Sequence, residues 1–107
     1  EVYAACYRVV VGEPPETLLE PCVADVLSVV ERLRPLDPVY VGEGAERYRA
    51  RLGDAGARLA GLRDAVPSAA TLLGLVAAQP ERYRVANAAA WEPDYVRASS
   101  AERGLSV

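Results

Sequence analysis

The sequence has no histidine, lysine, isoleucine, phenylalanine or methionine. The missing histidine excludes most. It removes imidazole as a general base, every Ser–His or Cys–His nucleophile pair, and the commonest metal ligand. Without lysine, all twelve basic residues are arginine, and Ala and Val are abundant, as in the codon usage of a GC-rich genome. No apolar run approaches the roughly 18 residues that span a bilayer, and no charged-then-apolar leader opens the chain. With a net charge of −3, nothing draws a phosphate backbone over long range. The arginines alternate with Glu and Asp, which reads as a mixed solvated surface and not a nucleic-acid face.

What is present is ordinary for one soluble globular unit: 107 residues, 51% apolar and 25% charged, enough for one core. Two cysteines stand at positions 6 and 22. A turn near Gly12–Pro15 would bring Cys6 and Cys22 close together. They read first as two small thiols, then as a disulfide; a metal or redox site lacks further ligands.

Val2 to Val11 reads as a strand, apolar on both alternating faces and so expected to be covered on both. Gly12-Glu13-Pro14-Pro15 is a turn, and Glu16 to Glu20 a short antiparallel edge strand. Val23 to Arg34 is expected to be a helix, with Val23, Val26, Leu27, Val30 and Leu33 on its apolar face. Pro35 and Pro38 stop it.

Val39-Tyr40-Val41-Gly42-Glu43-Gly44-Ala45-Glu46-Arg47-Tyr48-Arg49-Ala50-Arg51-Leu52 follows. It reads as a short strand, a G-x-G turn and a helix whose buried stripe is Ala45, Tyr48 and Leu52, stopped by Gly53. Ala55 to Val66 is ambiguous; Leu59, Leu62 and Val66 fit a helical face that Gly56 and Gly61 weaken. Pro67 opens a last helix with Ala69, Leu72, Leu73 and Val76 on one face, ended by Pro80. Arg82 to Ala90 reads as loop with a short helix. Trp91 to Val96 closes the ordered part, and 98–107 reads as a loose tail. The expected fold class is α/β, a small mixed sheet packed with helices in a single subdomain over residues 1–97.

The candidate chemistry is thin. Gly42 and Gly44 could cradle a phosphate at a helix start. However, Arg47 stands where the dinucleotide fingerprint has its third glycine. Glu43 and Glu46 would also repel an anion by a few kcal/mol if only partly screened, roughly. A tight turn is the competing reading, and the stronger one. Glu43 and Glu46 as an acid–base pair, or Ser99 and Ser100 as nucleophiles, lack supporting partners. Tyr3, Tyr7, Tyr40 and Tyr48 read as packing residues. Trp91 with Tyr95 reads as an anchor for the tail or for a partner protein.

Three patterns, in order, resemble the second half of the TsaB family, also called YeaZ. Glu1-Val2-Tyr3 and the small-residue strand after it resemble the family's strand following D-A-R-x-x-E-V-Y. Val39 to Tyr48 resembles its V-x-x-G-D-G-A-x-x-Y junction. Pro67-Ser68-Ala69-Ala70 and Glu92-Pro93-Asp94-Tyr95-Val96-Arg97 resemble its P-S-A-A helix and near-terminal E-P-x-Y-L-R. The resemblance spans nearly the whole chain. It implies an RNase H-like half of the actin-like ATPase fold, cut from the C-terminal side of a longer protein that begins before Glu1.

The resemblance further implies a cytoplasmic, non-catalytic scaffold that works with a TsaD-like enzyme and a TsaE-like ATPase. Together these install threonylcarbamoyl on the adenosine beside the tRNA anticodon. In the family the TsaD-facing helices lie in the N-terminal half. No cofactor, metal, membrane or direct nucleic-acid partner is implied. A homodimer is expected on separate grounds: an exposed first-strand edge, or apolar surface that the N-terminal half would cover, favours self-association. Two alternatives stay open: a nucleotide-binding or glycoprotease-like hydrolase half-domain using Gly42 and Gly44, and a self-associating fragment without activity.

Overall fold

A continuous run of apolar residues at the start of the chain forms strand β1 (Val2–Arg8), which the turn at Gly12 folds back onto β2 (Glu16–Ala24). The computed structural model describes residues 1–61 and 67–96, and its architecture is mixed α/β. Gly12 takes φ +83°, a left-handed conformation that glycine adopts without a steric penalty. The two strands are antiparallel, with Val2 opposite Ala24, Cys6 opposite Leu19 and Arg8 opposite Glu16. Register shifts flank Cys6. β2 has one neighbour, so it is an edge strand as expected, which tolerates Pro21.

β2 runs four residues beyond its expected end and takes Val23 from the expected helix. The reason is Asp25. Its carboxylate accepts hydrogen bonds from the Leu27 and Ser28 backbone N–H groups at 3.1 and 3.3 Å. That N-cap fixes the start of α1 (Val26–Leu33). Val26, Val29, Val30 and Leu33 are its buried residues, whereas Leu27 faces out. A 3₁₀ turn over Arg34–Leu36 and a left-handed Asp37 (φ 45°) then deliver the chain to β3 (Val39–Tyr40).

After Gly42 come α2 (Glu43–Arg47) and α3 (Arg49–Asp54), then β4 (Arg58–Leu59). β4 lies parallel to β3, with Val39 opposite Arg58 and Tyr40 opposite Leu59. A strand therefore stands where residues 55–66 offered a weak helical face; Leu62 and Val66 lie outside the described residues. The chain is returned by Gly56, at φ +80°, and not by Gly53, which sits inside α3. The expected single mixed sheet is instead two separate pairs, β1–β2 and β3–β4.

Two clusters form the core. Cys6, Leu19, Val29 and Leu33 make the first, and Val26, Val30, Ala45 and Leu52 the second. Val2 and Tyr40 pack against both and join them. Cys6 and Cys22 are free thiols on the inner side of the hairpin, Cys6 buried and Cys22 half-buried.

β1 is covered on its inner face alone. Tyr3 is 68% exposed on the other, against the expectation of two covered faces. The helix that could have covered it does not. α4 (Ala69–Ala78), capped by the Ser68 hydroxyl, has no buried residue, and its expected face of Leu72 and Leu73 is exposed. α4 stops just before Pro80, as expected, and Pro80 itself starts the short α5 (Pro80–Tyr83). Arg82 on α5 donates to the Pro15 carbonyl at 3.1 Å. Among the described residues no helix is long and apolar enough to cross a membrane. The expected tail, 98–107, and with it Ser99 and Ser100, lies outside the described residues.

Candidate functional site

The strand–glycine–helix junction forms, with its two glycines doing different work. Gly42 holds φ 112° and ψ 178°, a region open essentially to glycine alone, and this sharp exit lets the chain leave β3. Gly44 has ordinary dihedrals but a close neighbour: a Cβ there would meet Val2 Cγ1 at 3.4 Å. One glycine therefore serves backbone geometry, and the other the approach of α2 to β1.

An anion finds little here. α2 has five residues, and Tyr48 (φ −107°, ψ 23°) breaks it from α3. The expected buried stripe survives that break: Ala45 and Leu52 are buried and Tyr48 half-buried. Glu46 is held in an ion pair with Arg49, whose guanidinium also donates to the Ala60 carbonyl at 3.0 Å. That hydrogen-bonded partner raises the Arg49 pKa further above its already high usual value. Glu43 is exposed. The two carboxylates thus fall apart into one structural pair and one surface charge, and make no acid–base couple. Arg47 and Arg51 flank the Tyr48 ring, each 5.8 Å from its centre.

A feature absent from the sequence reading lies next to the glycines. A cleft of about 520 Å³ opens between β1 and β3, floored by Val26, Val29 and Leu33 of α1 and by Leu52. Among the described residues Glu43 is the one charged residue on its lining. Tyr40 stands in its wall. Burial pushes the Tyr40 phenol above its usual 10.0, with Cys6 and Asp37 adding to the rise and Arg34 opposing it. The signal that could have found this cleft is the run of β1 residues apolar at both parities, which marks a strand with more neighbours than one hairpin provides.

The remaining residues singled out in the sequence lie apart. Tyr3 and Tyr7 sit on the outer face of the hairpin. Trp91 is 58% exposed and Tyr95 79%, so neither is anchored against the described residues. Compared with known protein families, curated proteins and solved structures, the chain matches none.

Proposed function

We propose that this chain is the C-terminal, RNase H-like half of a TsaB-like protein. In this reading it is a non-catalytic, cytoplasmic scaffold subunit in making threonylcarbamoyladenosine beside the tRNA anticodon. It works through a TsaD-like enzyme, with a TsaE-like ATPase, as a homodimer and without a cofactor. The observation that carries the reading is the Val39–Tyr48 junction. Its family-like sequence goes with a turn built for packing: Gly42 for the exit from β3 and Gly44 against Val2. Glu46 is committed to Arg49 and Glu43 bears on the cleft, so among the described residues the cleft has none of the cations that nucleotide phosphates need. This weighs against the nucleotide-binding or hydrolase alternative.

The test is a pull-down of a TsaD-like enzyme by a protein carrying this chain behind a TsaB-like first half, with calorimetric titration of ATP beside it. Capture of the enzyme and no ATP binding is expected. Tight ATP binding that is lost in Gly44→Val would sink the scaffold reading, as would failure to associate with the enzyme.

A further inference from the structure

Four arginines are held in ion pairs: Arg8 with Glu16, Arg34 with Glu31, Arg49 with Glu46 and Arg58 with Asp37. Arg47 and Arg51 are treated differently. Among the described residues neither has an ion-pair partner. Acids stand within helical reach of both: Glu43 precedes Arg47 in α2 by four positions, and Asp54 follows Arg51 in α3 by three. Both guanidiniums lie instead over the ring of Tyr48, each 5.8 Å from its centre.

That ring is a fixed platform. Tyr48 is half-buried and packs against the second core cluster. None of the three residues lines the cleft, so this face is separate from it. Two like charges brought onto one ring repel each other, and an anion relieves the repulsion. A guanidinium takes a carboxylate along its edge and an aromatic ring on its face.

The same chain carries a segment that offers both. Glu92 and Asp94 are its one pair of acids two positions apart. Both are exposed, and among the described residues neither has an ion-pair partner. Pro93 between them keeps the Glu92 backbone out of the helical region, and an extended chain sets such a pair about 7 Å apart. Two guanidiniums each 5.8 Å from one ring centre lie within twice that distance of each other, so one acid can meet each. Trp91 and Tyr95 bracket the acids and are 58% and 79% exposed.

We infer that Arg47 and Arg51 of one copy of this chain bind Glu92 and Asp94 of a second copy, with Trp91 and Tyr95 against the guanidinium faces. A second copy supplies the segment because in its own chain it stands clear: among the described residues no backbone hydrogen bond or ion pair joins 91–96 to α2 or α3. Each copy carries both halves of the contact, so a reciprocal exchange closes a dimer. The undescribed segments are poorer occupants, since Asp64 and Glu102 are single acids, each beside an arginine. A nucleic-acid strand fits less well on a chain of net charge −3. The inference gives the homodimer of the scaffold reading an interface and takes nothing else from that reading. Exposed ion pairs are individually weak and screened by salt, so the dimer is weak and electrostatic.

The test is sedimentation equilibrium of the full 107-residue chain. A dimer with a Kd of about 1 mM or tighter is expected at low salt, weakened about fivefold or more at roughly 0.3 M salt. Arg47→Glu with Arg51→Glu is expected to weaken it about tenfold or more, and so is Glu92→Arg with Asp94→Arg. The far-ultraviolet circular dichroism spectrum should not change in either. An equimolar mixture of the two double variants is expected to recover the dimer, as is one chain carrying all four substitutions. Arg84→Gln, an exposed arginine outside the patch, is expected to leave the dimer unchanged.

The inference is overturned if the chain stays monomeric at millimolar concentration, or if the mixture of double variants does not recover the dimer. It is also overturned by a dimer that salt and both charge reversals leave unchanged, which would place the contact on the exposed apolar α4. That last result would leave the homodimer standing without this interface. Failure to capture a TsaD-like enzyme would remove the scaffold reading and leave this interface, so the two readings fail separately.

Discussion

Gly44 lies against Val2, with 3.4 Å between the valine Cγ1 and the Cβ that the glycine lacks. The contact joins the start of α2 to the start of β1. It also separates two glycines that look alike in the sequence. A methyl group at position 44 just fits, and alanine favours a helix over glycine by about 0.5–1 kcal/mol. Gly44→Ala should therefore melt within a few degrees of the parent, whereas Gly44→Val, which adds two more methyls against Val2, should cost about 1–3 kcal/mol. Gly42→Ala has open space around it but must hold φ 112°, and should cost about 1–3 kcal/mol from backbone strain. Urea unfolding of the three variants gives the order; equal effects at 42 and 44 would contradict the division of labour.

Leu52 is 1% exposed and anchors the second core cluster beneath α1. Leu52→Ala should cost about 2–5 kcal/mol. The loss should also reach the first cluster, because Val2 and Tyr40 pack on both. Followed by circular dichroism and by the reactivity of the Cys6 thiol, unfolding should give one transition. Two separated midpoints would show that the clusters melt independently.

Asp25 ends a strand and starts a helix, and its carboxylate accepts two backbone N–H groups. Asp25→Ala should lower stability by about 0.5–2 kcal/mol, and Asp25→Asn by less. Chemical denaturation decides; a neutral alanine variant would mean that the helix start is held by packing alone.

The pH dependence has two arms with opposite causes. The Arg34 hydrogen bond lowers the Glu31 pKa from the usual 4.5. The unfolded chain therefore takes up that proton first, and the contribution of Glu31 is present above pH 4.5 and lost as pH falls through its lowered value. The Tyr40 phenol is raised above 10.0, mainly by burial. Its contribution is present below pH 10.0 and lost as pH climbs through the raised value, because the unfolded chain ionises first. Glu31→Gln should flatten the acid arm slightly, since the pair is exposed and screened. Tyr40→Phe should flatten the alkaline arm. Thermal melts across both ranges would show it.

The hairpin, the inner face of α1 and the strand–glycine–helix junction were all legible in the sequence, because each is written in side-chain period and turn chemistry. β4 was not, since two residues, Arg58 and Leu59, are too few to show a period. The break at Tyr48 was hidden because Ala45 and Leu52 keep their helical spacing across it. α4 was legible as a helix, but not as a one-sided one: Leu72, Leu73 and Leu75 lie on a segment apolar nearly all round, and none of its residues is buried. The cleft escaped because its lining brings together Val2–Tyr7, Val29, Leu33, Val39–Gly44 and Leu52, which only the fold places side by side.

Every buried residue among those described lies between Cys6 and Leu52, and the last strand of the body, β4, ends at Leu59. Chains fold from the N-terminus as they are made. Once residue 61 has left the ribosome, both core clusters have all their described members. Vectorial folding of this body, ahead of α4 and α5, is therefore expected. Arg82, which reaches back to the Pro15 carbonyl 67 positions earlier, is expected to join it late.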